Sequence, residues 1–193
     1  MASVAGFAGA LDLSMLFVAY PAITDAFPST SPALLSWVVT VYTIVLAALL
    51  IPSGRLADRF GRRRLFLTGL AVFGAGALAS GLAPGPLWLI AARAGQAVGG
   101  ALVLPASMGV ILSEFPADRR GTAIGVWGGV GGAATVAGPA IGSGLLAAGG
   151  WRWVLLVNVP LAVAAWVGGA RVFSESRDRT ARLTDLVGSG LLA

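Results

Sequence analysis

The sequence contains no cysteine, no histidine and no lysine. Without cysteine there are no disulfides and no thiolate metal ligands. Without histidine the usual proton carrier near neutral pH is missing. All thirteen basic residues are therefore arginine, and set against eight acids they give a net charge of +5. Charge of either sign is scarce. Only 11% of the 193 residues are charged, whereas 57% are hydrophobic and the mean hydropathy is +0.88. No soluble domain of this size needs so much apolar sequence. A constellation of paired carboxylates, His or Cys is also lacking, which argues against an integral membrane enzyme. A basic balance can signal nucleic-acid binding. Here the arginines stand between apolar runs, which points to membrane orientation and not to nucleic acid.

What is present in abundance is apolar run. About twenty apolar residues cross a bilayer core of roughly 30 Å, and six stretches qualify: Ala2–Ile23, Ala33–Ser53, Leu65–Ala83, Leu87–Leu112, Thr122–Ala148 and Val154–Val172. No basic segment precedes the first of them, so a cleaved signal peptide is not expected. A polar stretch, Ser174–Thr184, follows the sixth, and apolar residues resume at Leu186 like the first turns of a seventh span. The expected organisation is an all-α membrane protein, with a six-helix bundle over 1–173 and a linker plus the start of a further helix over 174–193. With the N-terminus inside, the inner segments hold Arg55, Arg59, Arg62, Arg63, Arg64, Arg119, Arg120, Arg171, Arg177, Arg179 and Arg182, and the outer ones only Arg152. Eleven against one is a decisive positive-inside asymmetry. Trp88, Trp151 and Trp153 all fall on the outer side, as interfacial anchors would.

Three constellations carry chemistry. The first is Gly54–Arg64, which packs five arginines and Asp58 between spans two and three. It reads as a tight charged hinge, in which Gly54 and Gly61 permit close approach and unusual backbone angles; a plain topology anchor would look similar. The second is a pair of ionisable residues inside spans, Asp12 and Arg93, each costing at least about 2.5–3.5 kcal/mol at mid-bilayer. From the outer side Arg93 lies about 10 Å deep and Asp12 about 16 Å deep at 1.5 Å per residue, so a long arginine can reach the carboxylate. The pair reads either as a structural tie or as a functional pair in a cavity, with an interfacial Asp12 as a third reading. The third constellation is the fifth span, where eleven of the residues from Gly121 to Gly150 are glycine. Lipid forces such a segment to stay helical, and Gly128/Gly132 and Gly138/Gly142 are G-x-x-x-G pairs suited to close packing. Gly138-Pro139 predicts a mid-span kink.

The spacing G-x-x-x-D-R-x-G-R-R at Gly54–Arg63 resembles the loop between helices 2 and 3 of the major facilitator superfamily. Arg93-Ala94-Gly95-Gln96-Ala97-Val98-Gly99 resembles that family's helix 4 pattern R-x-x-Q-G-x-G, with Ala97 in place of glycine. Leu11-Asp12-Leu13-Ser14 through Pro21 resembles the first-helix pattern L-D-x-T-x-x-N-x-A-x-P of the fourteen-helix EmrB/QacA drug:proton antiporters, with Ser14 for Thr and Phe17 for Asn. Gly138-Pro139-Ala140-Ile141-Gly142, with Gly125 upstream, resembles the exporters' helix 5 signature, although Ser143 and Ala134 replace two of its glycines. Trp37-Val38 with Thr40 and Tyr42, and Trp151-Arg152-Trp153 with Asn158 and Pro160, resemble further subfamily stretches.

The resemblance implies the N-terminal six-helix half of an exporter, built as two inverted three-helix repeats, in the cytoplasmic membrane with the N-terminus inside. It implies efflux of small amphipathic or drug-like molecules by alternating access, without a cofactor and driven by a proton gradient. Proton coupling would fall to Asp12 and Arg93 in the cavity with Gln96 beside them. An inner gate would use Gly54, Asp58, Arg59, Gly61 and Arg62, joined by Glu114 or, as the alternative, Asp118. Gly125, Gly138, Pro139 and Gly142 would form a bendable, leak-tight helix. The partners would be the lipid bilayer, the substrate and the C-terminal half of the transporter. An importer of a small nutrient and a non-transporting membrane scaffold are the alternatives.

Overall fold

Six membrane-length apolar helical spans account for nearly all of residues 1–173, the part of the chain that this computed structural model describes. The expected linker and further helix at 174–193 lie outside the described residues. The helices are α1 (Ala2–Ala26), α2 (Pro32–Phe60), α3 (Arg62–Gly81), α4 (Pro86–Glu114), α5 (Ala117–Gly149), α6 (Trp151–Leu156) and α7 (Asn158–Val172). The sixth span is α6 and α7 together. No strand occurs among the described residues.

The boundaries follow from local chemistry. Ser31 caps α2, its Oγ accepting from the Leu34 amide at 3.3 Å, and Pro32 takes the first helical position. Pro86 opens α4 in the same way. Gly61 and Gly150 sit at φ 109° and 77°, where a side chain would be strained, and each closes one helix and opens the next. The sixth span breaks at Val157 because Pro160 has no N–H to offer the carbonyl four residues back, that of Leu156.

The charged stretch between spans two and three corrects one expectation. Gly54–Phe60 are the last turns of α2 and Arg62–Arg64 the first turn of α3, so the hinge is Gly61 alone. Arginine, leucine and alanine are good helix formers, and long arginine stems let a helix continue past the apolar zone while the charges stay in water. Span five likewise starts at Ala117, ahead of the expected Thr122, and span six at Trp151, ahead of Val154.

The packing repeats. α1 lies along α5 and α4 lies along α2, and these two pairings exchange when the first three spans are swapped for the last three. The same exchange relates α2 and α5, the two least enclosed spans, each with 17% of its apolar window buried against 56% for α4. This is the relation between two three-helix repeats. The closest approach is α3 on α4, where Gly69 and Gly76 of α3 meet Gly99 and Gln96 of α4. Helices in lipid gain nothing by hiding apolar surface from each other, so small residues that bring backbones into contact supply much of the association.

Candidate functional site

The enclosed centre of the bundle is polar. Asp12 of α1 is 1% exposed, and Arg93, Gln96 and Asn158 are fully buried. Arg93 Nη1 donates to Asp12 Oδ2 at 2.7 Å and to Gln96 Oε1 at 2.8 Å. Gln96 Nε2 donates to Asp12 Oδ1 at 3.1 Å, and Asn158 Nδ2 donates to the same oxygen at 2.8 Å. Arg93 Nε reaches the Val38 carbonyl at 3.4 Å, and the guanidinium carbon lies 4.3 Å from the centre of the Tyr42 ring. A cation over an aromatic face in a desolvated site gains about 2 kcal/mol. Four helices thus contribute: α1 the acid, α4 the base and the glutamine one turn on, α2 the ring, and α7 the asparagine. Asp12 thus faces the interior of the bundle and not its outer surface.

The surroundings explain why these side chains point inward. Arg93 and Gln96 are three residues apart and share one face of α4. Asn158 opens α7 at the break made by Pro160, and its Nδ2 also donates to the Leu155 carbonyl at 3.3 Å. Two atoms of the cluster lack a hydrogen-bond partner among the described residues, Arg93 Nη2 and Asn158 Oδ1.

Asn158 and Tyr42 had no place among the residues assigned a role from sequence. The signal was available: Gln96 and Asn158 are the sole glutamine and the sole asparagine in the sequence. A lone amide in an apolar span faces a partner, because hydrocarbon offers it none.

Below the cluster, an apolar cavity of about 240 Å³ lies among α1 to α5, with Gly6, Gly9, Leu13, Tyr42, Gly100 and Trp127 in its wall. Glycines on three walls keep it open, and the Trp127 indole N–H is buried without a hydrogen-bond partner among the described residues.

On α5 the glycines divide. Gly138 and Gly142 are buried against Ser14 and Met15 of α1, whereas Gly125, Gly128 and Gly132 meet nothing within 4 Å. Only the second G-x-x-x-G pair is therefore used within the described bundle. α5 runs unbroken through Pro139. The proline cannot donate to the carbonyl four residues back, that of Thr135, and Ser14 Oγ donates to it instead at 2.7 Å. Ser14→Ala is accordingly expected to lower stability by about 1 kcal/mol, read as a fall in the thermal midpoint of the detergent-solubilised chain. Ser14→Thr keeps the donor and should leave the midpoint near that of the parent. An unchanged midpoint for the alanine variant would show that the proline tolerates an orphan carbonyl.

At the arginine-rich end, Arg62 bridges three helices. Its Nε and Nη2 donate to Asp58 Oδ1 at 3.0 and 2.8 Å, and its Nη1 donates to the Gly109 carbonyl of α4 at 3.0 Å. Arg63 Nη2 donates to the Ala170 carbonyl near the end of α7 at 2.7 Å. Gly54 packs against Pro105 of α4, Arg59 is exposed with its guanidinium over Phe60, and Glu114 is the exposed last residue of α4. Asp118 is a solvated partner of Arg119 at 3.9 Å. The Arg62 and Asp58 side chains are 25% and 42% exposed, so as an ion pair they contribute at most about 1 kcal/mol.

The sequence profile described as Major Facilitator Superfamily matches residues 2–189. The tetracenomycin C resistance and export protein of Streptomyces glaucescens is 38% identical over 185 residues, 95% of this chain and 34% of that protein. The cephamycin export protein CmcT of Amycolatopsis lactamdurans is 40% identical over 186 residues, 93% of this chain and 37% of that protein. The multidrug efflux pump LfrA of Mycolicibacterium smegmatis is 40% identical over 171 residues, 88% of this chain and 34% of that protein. The chain thus spans about a third of the length of these curated relatives. Among solved structures, a bacterial homolog of the human lysosomal transporter Spinster, inward-facing and unoccupied, superposes with a TM-score of 0.76 at 21% identity, over 95% of this chain and 44% of that one. Sequence profile, relatives and fold agree: this chain belongs to the Major Facilitator Superfamily.

Proposed function

We propose that the chain forms the N-terminal six-helix half of a proton-coupled exporter of small amphipathic molecules in the cell membrane, with the arginine-rich end and the N-terminus in the cytoplasm. The observation that carries this reading is the sealed Asp12–Arg93 pair with its two amides, the one ion pair buried in the described bundle. An ion pair this deep is costly to build, and an apolar tie would hold the helices at lower cost. A carboxylate that trades its proton against an adjacent fixed cation gives that cost a use. The export and resistance named in the relatives support the direction of transport, and eight arginines at one end of the described residues support the orientation.

The two open faces support the missing partner. α2 and α5 are the least buried spans, and α5 presents Gly125, Gly128 and Gly132 with nothing against them. Such a face suits a second bundle that must slide against this one. The apolar cavity beside Tyr42 and Trp127 supplies a wall for an apolar substrate with one hydrogen-bond acceptor. Arg62, holding Asp58 and the end of α4 together, is the inner latch, with Gly54, Arg59, Gly61 and Glu114 around it.

The test is transport by the full-length protein carrying this segment, read as uptake of a fluorescent cationic dye added outside inverted vesicles. Dye movement should follow an imposed proton gradient, and Asp12→Asn should reduce it to background. Movement that persists at the parental rate in Asp12→Asn, or that ignores the gradient, would remove Asp12 from the coupling.

A further inference from the structure

The polar cluster has an asymmetry that bears on how Asp12 takes a proton. Every group facing its carboxylate is a donor: Arg93 Nη1 on Oδ2, and Gln96 Nε2 and Asn158 Nδ2 on Oδ1. That suits the ionised acid and leaves no acceptor for a carboxyl O–H. Arginine has none to give. Gln96 has one, Oε1, but it is held by Arg93 Nη1 at 2.8 Å, and turning the amide over would set its N–H₂ against the guanidinium. Asn158 Oδ1 is different: it is buried and has no partner among the described residues. The other titratable or charged group near Asp12 is Tyr42 of α2, whose ring lies under Arg93. α3 and α5 carry charges only in their first turns, Arg62–Arg64 and Asp118–Arg120, and Arg152 of α6 is turned to the Ala83 carbonyl at 3.0 Å. α7 supplies Asn158 itself and, at its far end, Arg171.

We infer that Asn158 is the positioning residue that reads the proton on Asp12, its side-chain amide turning over when Asp12 Oδ1 is protonated so that Asn158 Oδ1 accepts the new O–H. The inference rests on the reading of Asp12 as the proton-carrying group. The balance is simple. A proton from water adds to Asp12 Oδ1, and Asp12 becomes neutral. Asn158 exchanges an N–H donated to that oxygen for a carbonyl that accepts from it. Gln96 goes on donating to Oδ1 and Arg93 to Oδ2. Two consequences follow. Arg93 is left as a buried cation without a counter-charge, with Nη2 already lacking a partner. Asn158 gives up its 3.3 Å bond to the Leu155 carbonyl, which lies at the α6–α7 break, so the proton state of α1 is passed to the weak point of the sixth span.

Because Asn158 is the sole asparagine, labelling asparagine with ¹³C at the side-chain carbonyl gives one band in the infrared spectrum of the whole chain in lipid nanodiscs. The expected result is a shift of that band to lower frequency on acidification, in step with the appearance of the protonated Asp12 carboxyl. An amide that merely stays in place keeps its oxygen without a partner, and its band does not shift in this way. In Asp12→Asn, Arg93 selects the oxygen of residue 12 and leaves its N–H₂ facing Asn158, so the band should sit at its acid position at every pH. Titration of Asp12 with the Asn158 band unmoved overturns the inference and leaves the proton-coupling reading standing. So does a band in Asp12→Asn that stays at its alkaline position. A carboxyl that never protonates at any pH where the chain is folded removes both. The titration of the parent chain decides by itself if the variant does not fold.

Discussion

Arg93→Met is expected to lower folding stability by about 3–5 kcal/mol, and adding Asp12→Asn is expected to recover most of that loss. The two side chains are within 1% of complete burial and meet at 2.7 Å. Removing the cation leaves a carboxylate in a low-dielectric core with only two amide donors, and the penalty is the desolvation of an uncompensated charge, not the loss of one contact. Neutralising the acid in the same chain removes that penalty. Gln96 and Asn158 can then satisfy an amide at position 12, and methionine fills the space of the arginine stem. The measurement is reversible unfolding of the detergent-solubilised chain, with the four members of the double-mutant cycle side by side. If single and double variants lose equal stability, the pair is not what the core depends on. By comparison, Asp58→Asn at the exposed Arg62 pair should change stability by at most about 1 kcal/mol, so a large loss of transport there would be an effect on gating and not on folding.

The parts of this arrangement that could be read from sequence were those governed by a single length scale. Six apolar runs and their arginine flanks gave six spans, because bilayer thickness leaves no other reading. The Asp12–Arg93 meeting followed from depth alone, although the residues are 81 apart in sequence. Gln96 entered only through the resemblance of Arg93–Gly99 to the helix 4 pattern; in the structure it lies beside Arg93 because residues three apart share a helix face. Asn158 was less visible: Pro160 marks a break near it, but a proline two residues on does not say which way the side chain faces, and that shows only once α7 is packed against α1. The charged stretch at Gly54–Arg64 misled because charge was read as loop, whereas arginine continues a helix readily. The two G-x-x-x-G pairs of α5 are indistinguishable by spacing. Ser14 and Met15 of α1 select Gly138 and Gly142, and nothing in the described bundle selects Gly128 and Gly132. At the closest contact, Gly99 ends the helix 4 pattern, but Gly69 and Gly76 of α3 stand seven apart and form no G-x-x-x-G pair, so their meeting with α4 shows only across two helices.

That contact gives the second large effect. Gly99→Ala is expected to cost about 1–3 kcal/mol, whereas Gly95→Ala, four residues earlier on the same helix, should be neutral or stabilising. A Cβ at position 99 would run into the Phe73 backbone amide and lie 2.7 Å from both the Gly69 carbonyl oxygen and Phe73 Cα. These are backbone atoms and have no rotamer to change, so α3 and α4 must move apart. At position 95 a Cβ meets nothing within 4 Å, and alanine only gains helix propensity, about 1 kcal/mol at most. The displacement also reaches the site. α4 carries Arg93 and Gln96, and on α3 Gly76 is seated on the Gln96 backbone, where a Cβ would lie 2.6 Å from Gln96 Cα. A helix pushed off at Gly99 therefore shifts Gln96 with respect to Asp12, and the 3.1 Å bond between them has little to lose before it fails. Thermal unfolding of the two alanine variants should separate them clearly. Gly99→Ala should also disturb the Asp12 carboxyl band in the infrared spectrum, while Gly95→Ala should leave it in place. Equal midpoints would mean that α3 and α4 are not held at backbone contact, and that the registration of Gln96 against Asp12 comes from the polar cluster itself.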